Sequence, residues 1–198
     1  MSTVLVTGFE PFADFRGNPS RQVAEQLHGR TIKGASVETL ILPVAFGQDT
    51  ARLFPIIEER NPRLVLSLGL SPQATGLHIE RIALNLRRGD GEKREMPIVA
   101  DGPAAYFTSI DVDAISTALC SRNIPANPHV YAGTFLCNHV MYQVLHLAAT
   151  RNLSFSSGFI HIPFSLELAV AENLMHLPSI PLEVLVEGVV VAIETAIA

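Results

Sequence analysis

The chain has 198 residues, 14 basic and 19 acidic side chains and a net charge of −5. This length predicts one domain over residues 1–198, and the lack of a basic run argues against nucleic acid as a partner. Glutamates interrupt the longest apolar stretch, so we expect no membrane span. No signal peptide is visible, and the chain has only two cysteines, which are too few for a disulfide framework. We therefore expect a cytoplasmic protein with free thiols.

The first third of the chain alternates between strand and helix patterns. Unalternated apolar runs are typical of strands covered on both faces, and apolar residues at helical spacing follow them. Asn18 and Pro19 suit the cap and first position of the first helix, whereas Pro55 should kink or split the second. The strands are predicted at residues 3–6, 37–42 and 64–68, and the helices from residue 19 and over residues 47–60. This order predicts a parallel sheet with helices on both faces.

The rest of the chain mixes alternating and buried patterns. Residues 77–86 alternate like a strand with one or both faces partly covered. Residues 87–96 are charged and contain Gly89-Asp90-Gly91, which indicates a loop or hairpin tip. Two prolines favour a loop at residues 123–128. The remaining predictions are helices at residues 112–120, from 137, at 166–175 and at 182–197, and strands at 129–132 and 158–162.

Cys137 lies where a predicted strand, a Gly-Thr turn and a helix follow one another. The free N–H groups and the positive end of the helix dipole favour a thiolate at this position. The same N–H groups could hydrogen-bond an oxyanion that forms beside the sulfur. Most free cysteines are nevertheless inert core residues, so position alone leaves both interpretations open.

A cysteine nucleophile needs a histidine base nearby. His161 is the best candidate because it ends a predicted strand. His139 is two residues from Cys137 and cannot face it on a helix, so we interpret it as a helix-surface or supporting residue. The other histidines are expected on the surface or on strand or helix faces: His28, His78, His129, His146 and His176.

Glu80 is the candidate for the group that orients the base. It lies among apolar residues in a predicted strand, and a charge within a partly buried strand needs a partner. Two interpretations stay open: Glu80 orients His161, or it pairs with Arg81, Arg87 or Arg88 at the sheet edge.

The predicted strand ends should bring these groups together. In open α/β sheets, sites form at the carboxyl ends of the strands, and Gly8, Gly69, the turn before Cys137 and His161 all follow predicted parallel strands. Phe9 and Phe12 follow the first strand and either line such a site or fold back onto the core. Serine-hydrolase, zinc-peptidase and nucleotide-binding motifs are absent from the sequence, so we expect no metal and no cofactor.

Five segments, in order over nearly the whole chain, resemble motifs of the pyroglutamyl peptidase I family. They are residues 7–12 with 18–20, 80–85, 97–106, 133–138 and 158–163. The resemblance implies a three-layer α/β/α sandwich with a mostly parallel central sheet, of the phosphorylase/hydrolase-like type. It also implies a cytosolic homotetramer and a cysteine peptidase, without metal or cofactor, that removes the N-terminal pyroglutamyl residue from peptides.

The resemblance also assigns roles to single residues. Cys137 is the nucleophile, His161 the base and then the acid, and Glu80 the orienting group. Phe9 and Phe12 hold the lactam ring of pyroglutamate. Apolar packing with a few backbone hydrogen bonds suits such an uncharged, flat ring, and a free α-amine would be rejected because it would have to be desolvated.

The sequence departs from the family pattern in two loops. Leu70 stands at the usual glutamine and Ala74 at the usual arginine, and residues 86–91 replace an acidic segment. We therefore assign no substrate contact to either loop. Two other functions fit the expected fold: a phosphorylase-like transferase, which would need an arginine-rich anion site, and a non-catalytic binder that keeps the pocket.

Overall fold

The computed structural model describes residues 2–89 and 93–198, so residues 90 and 91 of the predicted hairpin tip lie outside the described residues. The elements in chain order are β1 (Thr3–Phe9), α1 (Pro19–Leu27), β2 (Thr31–Ile32), β3 (Ala35–Leu42), α2 (Gln48–Arg60), β4 (Leu64–Leu70), β5 (Leu77–Leu84), β6 (Ala105–Phe107), α3 (Val112–Ser121), β7 (Ala126–Tyr131), α4 (Leu136–Arg151), β8 (Ser156–Ile162), β9 (Phe164–Ser165), α5 (Leu166–Ala171), β10 (Ser179–Ile180) and α6 (Leu182–Ala196).

One mixed sheet forms the centre of the described chain. Its strand order is β2-β3-β1-β4-β8-β5-β6, and β7 pairs with β5. Strands β3, β1, β4 and β8 are parallel to one another, as the repeated strand-helix order predicted. Strands β5 and β7 run in the opposite direction to these four. Strand β5 is antiparallel to β8, and β7 is parallel to β5.

The prediction that a parallel strand precedes Cys137 is therefore wrong. The reversal begins in the short segment between β4 and β5, residues 71–76, which contains no helix. A connection of this length cannot carry the chain back along the sheet, as a parallel neighbour requires. The chain therefore turns round, and β5 and β7 run in the opposite direction.

Helices cover both faces of the sheet in three layers. Successive strand residues point to opposite faces, so each strand feeds two cores. On one face α1, α3 and α6 pack against residues such as Val4, Leu66 and Ile160. On the other, α2 and α4 pack against residues such as Leu5 and Phe159. The predicted α/β/α sandwich is confirmed, and no described helix is long and apolar enough to cross a membrane.

Two prolines that were predicted to interrupt regular structure, Pro55 and Pro128, lie within a helix and a strand. Helix α2 is not split, since it continues through Pro55, and the buried side chains of Leu53 and Ile57 hold this part of the helix on the core. The predicted loop at residues 123–128 gives way to β7 from Ala126 onwards. Pro128 is tolerated there because β5 is the one partner of β7 among the described strands, so that, within the described residues, the other edge of β7 has no ladder bonds to lose.

Helix α5 is shorter than the predicted helix over residues 166–175. It ends at Ala171, and the N–H of Glu172 donates to the carbonyl of Leu168. Asn173 follows with a φ of 59°, a left-handed conformation that ends a helix and that asparagine adopts more readily than most residues.

Candidate active site

Cys137 lies on the first turn of α4, partly exposed. Helix α4 begins at Leu136, its N-cap residue is Phe135, and no side chain among the described residues caps this end. The first N–H groups of a helix have no partner within it, so those of α4 are left to serve an acceptor beside the sulfur. The fold also needs glycine at the end of β4: a Cβ on Gly69 would lie 2.8 Å from Cys137 Sγ.

Glu80 is fully buried, and each of its two oxygens contacts a histidine. Glu80 Oε1 lies 2.7 Å from Nδ1 of His161. Glu80 Oε2 lies 2.8 Å from Nδ1 of His129. The two ring nitrogens share one carboxylate, so that Glu80 holds His161 by one oxygen and is itself held by His129 through the other.

The structure does not support the alternative in which Glu80 pairs with a neighbouring arginine. Arg81 pairs with Asp113 on the surface, and Arg88 with Glu95. The guanidinium of Arg87 lies 5.0 Å from the ring centre of Phe46. The arginines named in that alternative therefore contact other groups.

His161 lies between Glu80 and the sulfur of Cys137. Burial alone lowers the pKa of this histidine, because it disfavours the charged ring. The charge and hydrogen bond of Cys137, together with the hydrogen bond and charge of Glu80, outweigh burial and raise the pKa of His161 to about 10. The ring is therefore protonated at neutral pH and faces the sulfur as an imidazolium.

A cavity of about 180 Å³ opens beside these groups. Phe9 and Phe12 form one side of it, and the turn before Cys137 forms another. Phe9 is also buried in the core, so both sequence interpretations of this ring hold. Its position is fixed by its own N–H, which donates to Ser20 Oγ at 3.0 Å.

The positions at which the sequence departs from the family pattern differ in whether they line this cavity. Leu70 lines it, whereas Ala74 is fully buried and does not. The N–H of Arg88 donates to the carbonyl of Thr134 at 2.7 Å, so the altered loop supports the turn before Cys137.

The two residues after Cys137 anchor its helix in different directions. Asn138 is buried, and its amide donates to the carbonyls of Leu84 and Leu86 and accepts from the N–H of Leu84, each at 2.8 Å. These bonds join the start of α4 to the end of β5, the strand that carries Glu80.

His139 is buried, so its interpretation as a helix-surface residue is wrong. Its Nδ1 lies 2.7 Å from Oδ2 of Asp49, which is also buried, and its ring packs edge-on against Phe46. This pair joins α4 to α2 and supports the helix that carries Cys137.

Sequence reasoning missed His129, Asn138 and Asp49 as parts of this site. Each acts through a partner at least 49 residues away. A local pattern contains no information about such a partner. The one available signal was the alternating pattern of β5, which places the charged Glu80 among apolar residues. Such a charge needs a partner, but the pattern does not identify which residue that partner is.

The site combines a cysteine at the start of a helix, a charged histidine beside it and a buried carboxylate that contacts the histidine. This arrangement on a three-layer α/β fold is typical of cysteine hydrolases. Comparison with known proteins is more specific. The family model for pyroglutamyl peptidase matches residues 2–198, and the chain belongs to this family.

Relatives and solved structures agree with this assignment. The pyrrolidone-carboxylate peptidase of Treponema denticola is 38% identical, over 98% of this chain and 93% of its own length. The pyrrolidone carboxyl peptidase structure from Pyrococcus furiosus is 39% identical with a TM-score of 0.92, covering 98% of each chain. That from Thermococcus litoralis is 33% identical with a TM-score of 0.93, covering 100% of this chain and 94% of its own.

Proposed function

We propose that this protein is a cysteine peptidase that removes the N-terminal pyroglutamyl residue from peptides. Cys137 is the nucleophile, His161 the base and then the acid, and Glu80 the group that orients His161. The observation that carries the proposal is the series from Glu80 Oε1 through His161 to the sulfur, which ends beside an apolar cavity at a helix start.

The reaction follows from these positions. The thiolate of Cys137 attacks the pyroglutamyl carbonyl carbon, and N–H groups at the start of α4 donate to the oxyanion. His161 gives its proton to the leaving nitrogen as the C–N bond breaks, which leaves a thioester on Cys137. The neutral ring then takes a proton from water, whose oxygen attacks the thioester. Pyroglutamate is released, and the thiolate and imidazolium are restored.

The cavity beside Cys137 supports selection of an uncharged ring. Its lining is mainly apolar, and the described side chains that line it include no lysine, arginine, aspartate or glutamate. A protonated α-amine would lose its hydration there without a free counter-charge, because the thiolate of Cys137 is already paired with the imidazolium of His161. The lack of a lining arginine also weighs against a phosphorylase-like transferase, which would have to hold an anion.

The test is release of a fluorescent amine from pyroglutamyl and prolyl amides. We expect the wild type to hydrolyse the pyroglutamyl amide only. Cys137→Ser should lose this activity, whereas Cys120→Ser should keep it, because Cys120 is an exposed cysteine on α3.

Other outcomes would reject parts of the proposal. Hydrolysis that persists in Cys137→Ser means that the thiol is not the nucleophile. No hydrolysis by folded, reduced wild type rejects the peptidase function. A non-catalytic binder would then be supported if an alkylating reagent modified Cys137 no faster than Cys120.

A homotetrameric assembly and a cytoplasmic location are further parts of this proposal. The family resemblance supports the tetramer, and exposed apolar side chains such as Phe107, which is 75% exposed, could be covered by another subunit. The two free cysteines fit a reducing compartment. Light scattering tests the assembly, since the subunit mass is 21.4 kDa and a tetramer has four times that mass.

A further inference from the structure

A second, larger cavity of about 530 Å³ adjoins the cavity beside Cys137. The two share Leu70, Ala132, Gly133 and His161 as lining residues, so the ring of His161 stands at their junction. The second cavity extends from there over β5 and β7, away from Phe9 and Phe12.

Rings dominate the floor of this second cavity. His78 lies opposite His161 in the strand register, and Tyr131 lies opposite Ile82 in the same way. Residues that face each other across strands point to the same side of a sheet. His161, His78, His129 and Tyr131 therefore form a row on one face, and all four line the cavity.

We propose that this second cavity binds the residue that follows pyroglutamate in the peptide, and that its row of rings favours an aromatic side chain there. The inference rests on the proposed function. Pyroglutamate is the first residue of its peptide, so everything beyond the scissile bond must lie on the other side of Cys137 from the lactam. The proton donor must also reach the leaving nitrogen, which places that nitrogen at His161 and the next residue at the start of the second cavity.

The ring geometry favours an aromatic occupant. His78 and His129 stack with centroids 5.0 Å apart and planes inclined by 20°. Beyond this stack Tyr131 is 44% exposed, so part of its ring remains open to contact. Aromatic rings pair well at offsets of this size, and the occupant's ring would extend the existing row.

The charges argue against an acidic occupant. The described lining residues include no lysine or arginine. Burial is the main cause that lowers the pKa of His78; His129 and, more weakly, His161 also lower it, whereas Glu80 raises it, and the net direction is downward, which favours the neutral ring. The imidazolium of His161 is already paired with Glu80, so the cavity offers a carboxylate no uncompensated positive charge.

The test compares amide-capped dipeptides with phenylalanine, alanine or glutamate after pyroglutamate. We expect the wild type to prefer phenylalanine over alanine in kcat/KM by roughly three- to tenfold, the size of one aromatic pair, and to disfavour glutamate. Tyr131→Ala should lower the phenylalanine-to-alanine ratio, and Tyr131→Phe should preserve it. Val130→Ala is the matched control: its side chain is exposed on the same strand but points to the opposite face, so its ratio should not change.

Three outcomes would overturn the inference. The ratio could be the same in wild type and Tyr131→Ala, or Val130→Ala could lower it equally, or the glutamate peptide could be the best substrate. Each of these leaves the proposed function intact, because the fluorescent pyroglutamyl amide is still hydrolysed. If that amide is inert as well, the proposed function itself has failed, and the inference fails with it.

Discussion

At the scale of single residues, the first turn of α4 directs three consecutive side chains to three different parts of the fold. Successive helix residues point about 100° apart, so Cys137 meets the end of β4, Asn138 meets β5 and His139 meets α2. The sulfur is thus fixed by its two neighbours in sequence, although neither of them faces it.

The pKa of His161 predicts how hydrolysis depends on pH. In the proposed mechanism His161 carries the proton that releases the leaving amine, and its pKa is raised to about 10. Activity should therefore fall on the alkaline side as the pH rises through about 10, and not near 6.5. Glu80→Gln removes a negative charge that holds this proton, so its remaining activity should fall at a lower pH than in wild type.

The measurement is a kcat/KM profile of the pyroglutamyl amide against pH. Asp113→Asn is the control, because it also removes a carboxylate but its partner is Arg81 on the surface. An alkaline limb that is unchanged in Glu80→Gln, or one that moves equally in the control, would contradict the assigned role of Glu80.

The sequence could suggest candidate residues where position along a strand carried the information, and the structure brings two of them, Glu80 and His161, within 2.7 Å of each other. His161 at a strand end and Glu80 inside a strand could be selected because their local surroundings are unusual for charged groups. The bond from His129 to Glu80 could not be predicted, since it depends on the register between β5 and β7. Nor could the burial of His139, whose partner Asp49 lies 90 residues away.

At the scale of elements, Asn138 connects the helix of Cys137 with the strand of Glu80. Replacing it by leucine should leave the N–H of Leu84 and the carbonyls of Leu84 and Leu86 without these part-buried hydrogen bonds. Such unpaired groups cost about 1–3 kcal/mol each where water cannot reach them. We expect Asn138→Leu to lower the free energy of unfolding by roughly 3 kcal/mol and to lower kcat, because α4 can then shift against β5.

Urea unfolding and kinetics of the same samples measure both effects. Asn127→Ala is the control, since that exposed amide bonds only the neighbouring carbonyl of Pro128 in the described structure. It should change the unfolding free energy by less than about 0.5 kcal/mol. Wild-type stability and kcat in Asn138→Leu would show that the connection has no such role.

The elements themselves were largely predictable, because apolar runs and helical spacing are local properties. The errors have a common cause in tertiary context. Packing on the core carries α2 through Pro55, and β7 can contain Pro128 because one of its edges has no partner strand among the described residues. A left-handed Asn173 stops α5 early, although the apolar pattern continues beyond it.

At the scale of the whole molecule, the site depends on how closely the α4 layer approaches the sheet. The sulfur of Cys137 and the ring of Phe159 each lie 2.8 Å from the place that a Cβ at position 69 would occupy. We expect Gly69→Ala to displace the sulfur and to lower kcat/KM on the order of a hundredfold, the scale seen for misplacements of about 1 Å.

Gly188→Ala is the matched control for this substitution. A methyl group there meets Cδ2 of Leu77 at 2.8 Å, which is also a close contact but one with the movable end of a side chain on the opposite face of the sheet. It should keep its kcat/KM, whatever it does to stability. Equal losses in both variants would mean that general loosening, and not displacement of the sulfur, lowers activity.

The layered architecture could be predicted, but the mixed direction of the sheet could not. The first three predicted strands, which became β1, β3 and β4, show the repeated strand-helix-strand pattern that dictates parallel neighbours. Beyond β4 the chain reverses without a helix, and the sequence of β5 is compatible with either direction. The cavities on both sides of His161 form where these two halves of the sheet meet.

The long sequence distances within the site determine when a newly made chain can first act. Glu80 and His161 are 81 residues apart, and the pairs that anchor the start of α4 span 54 and 90 residues. While β8 is still inside the ribosome, Cys137 has neither its imidazolium nor its full support. Cys137 is itself added only after 136 of the 198 residues, so the site is completed late in synthesis, when β8, the last strand of the central sheet to be made, pairs with β4 and β5.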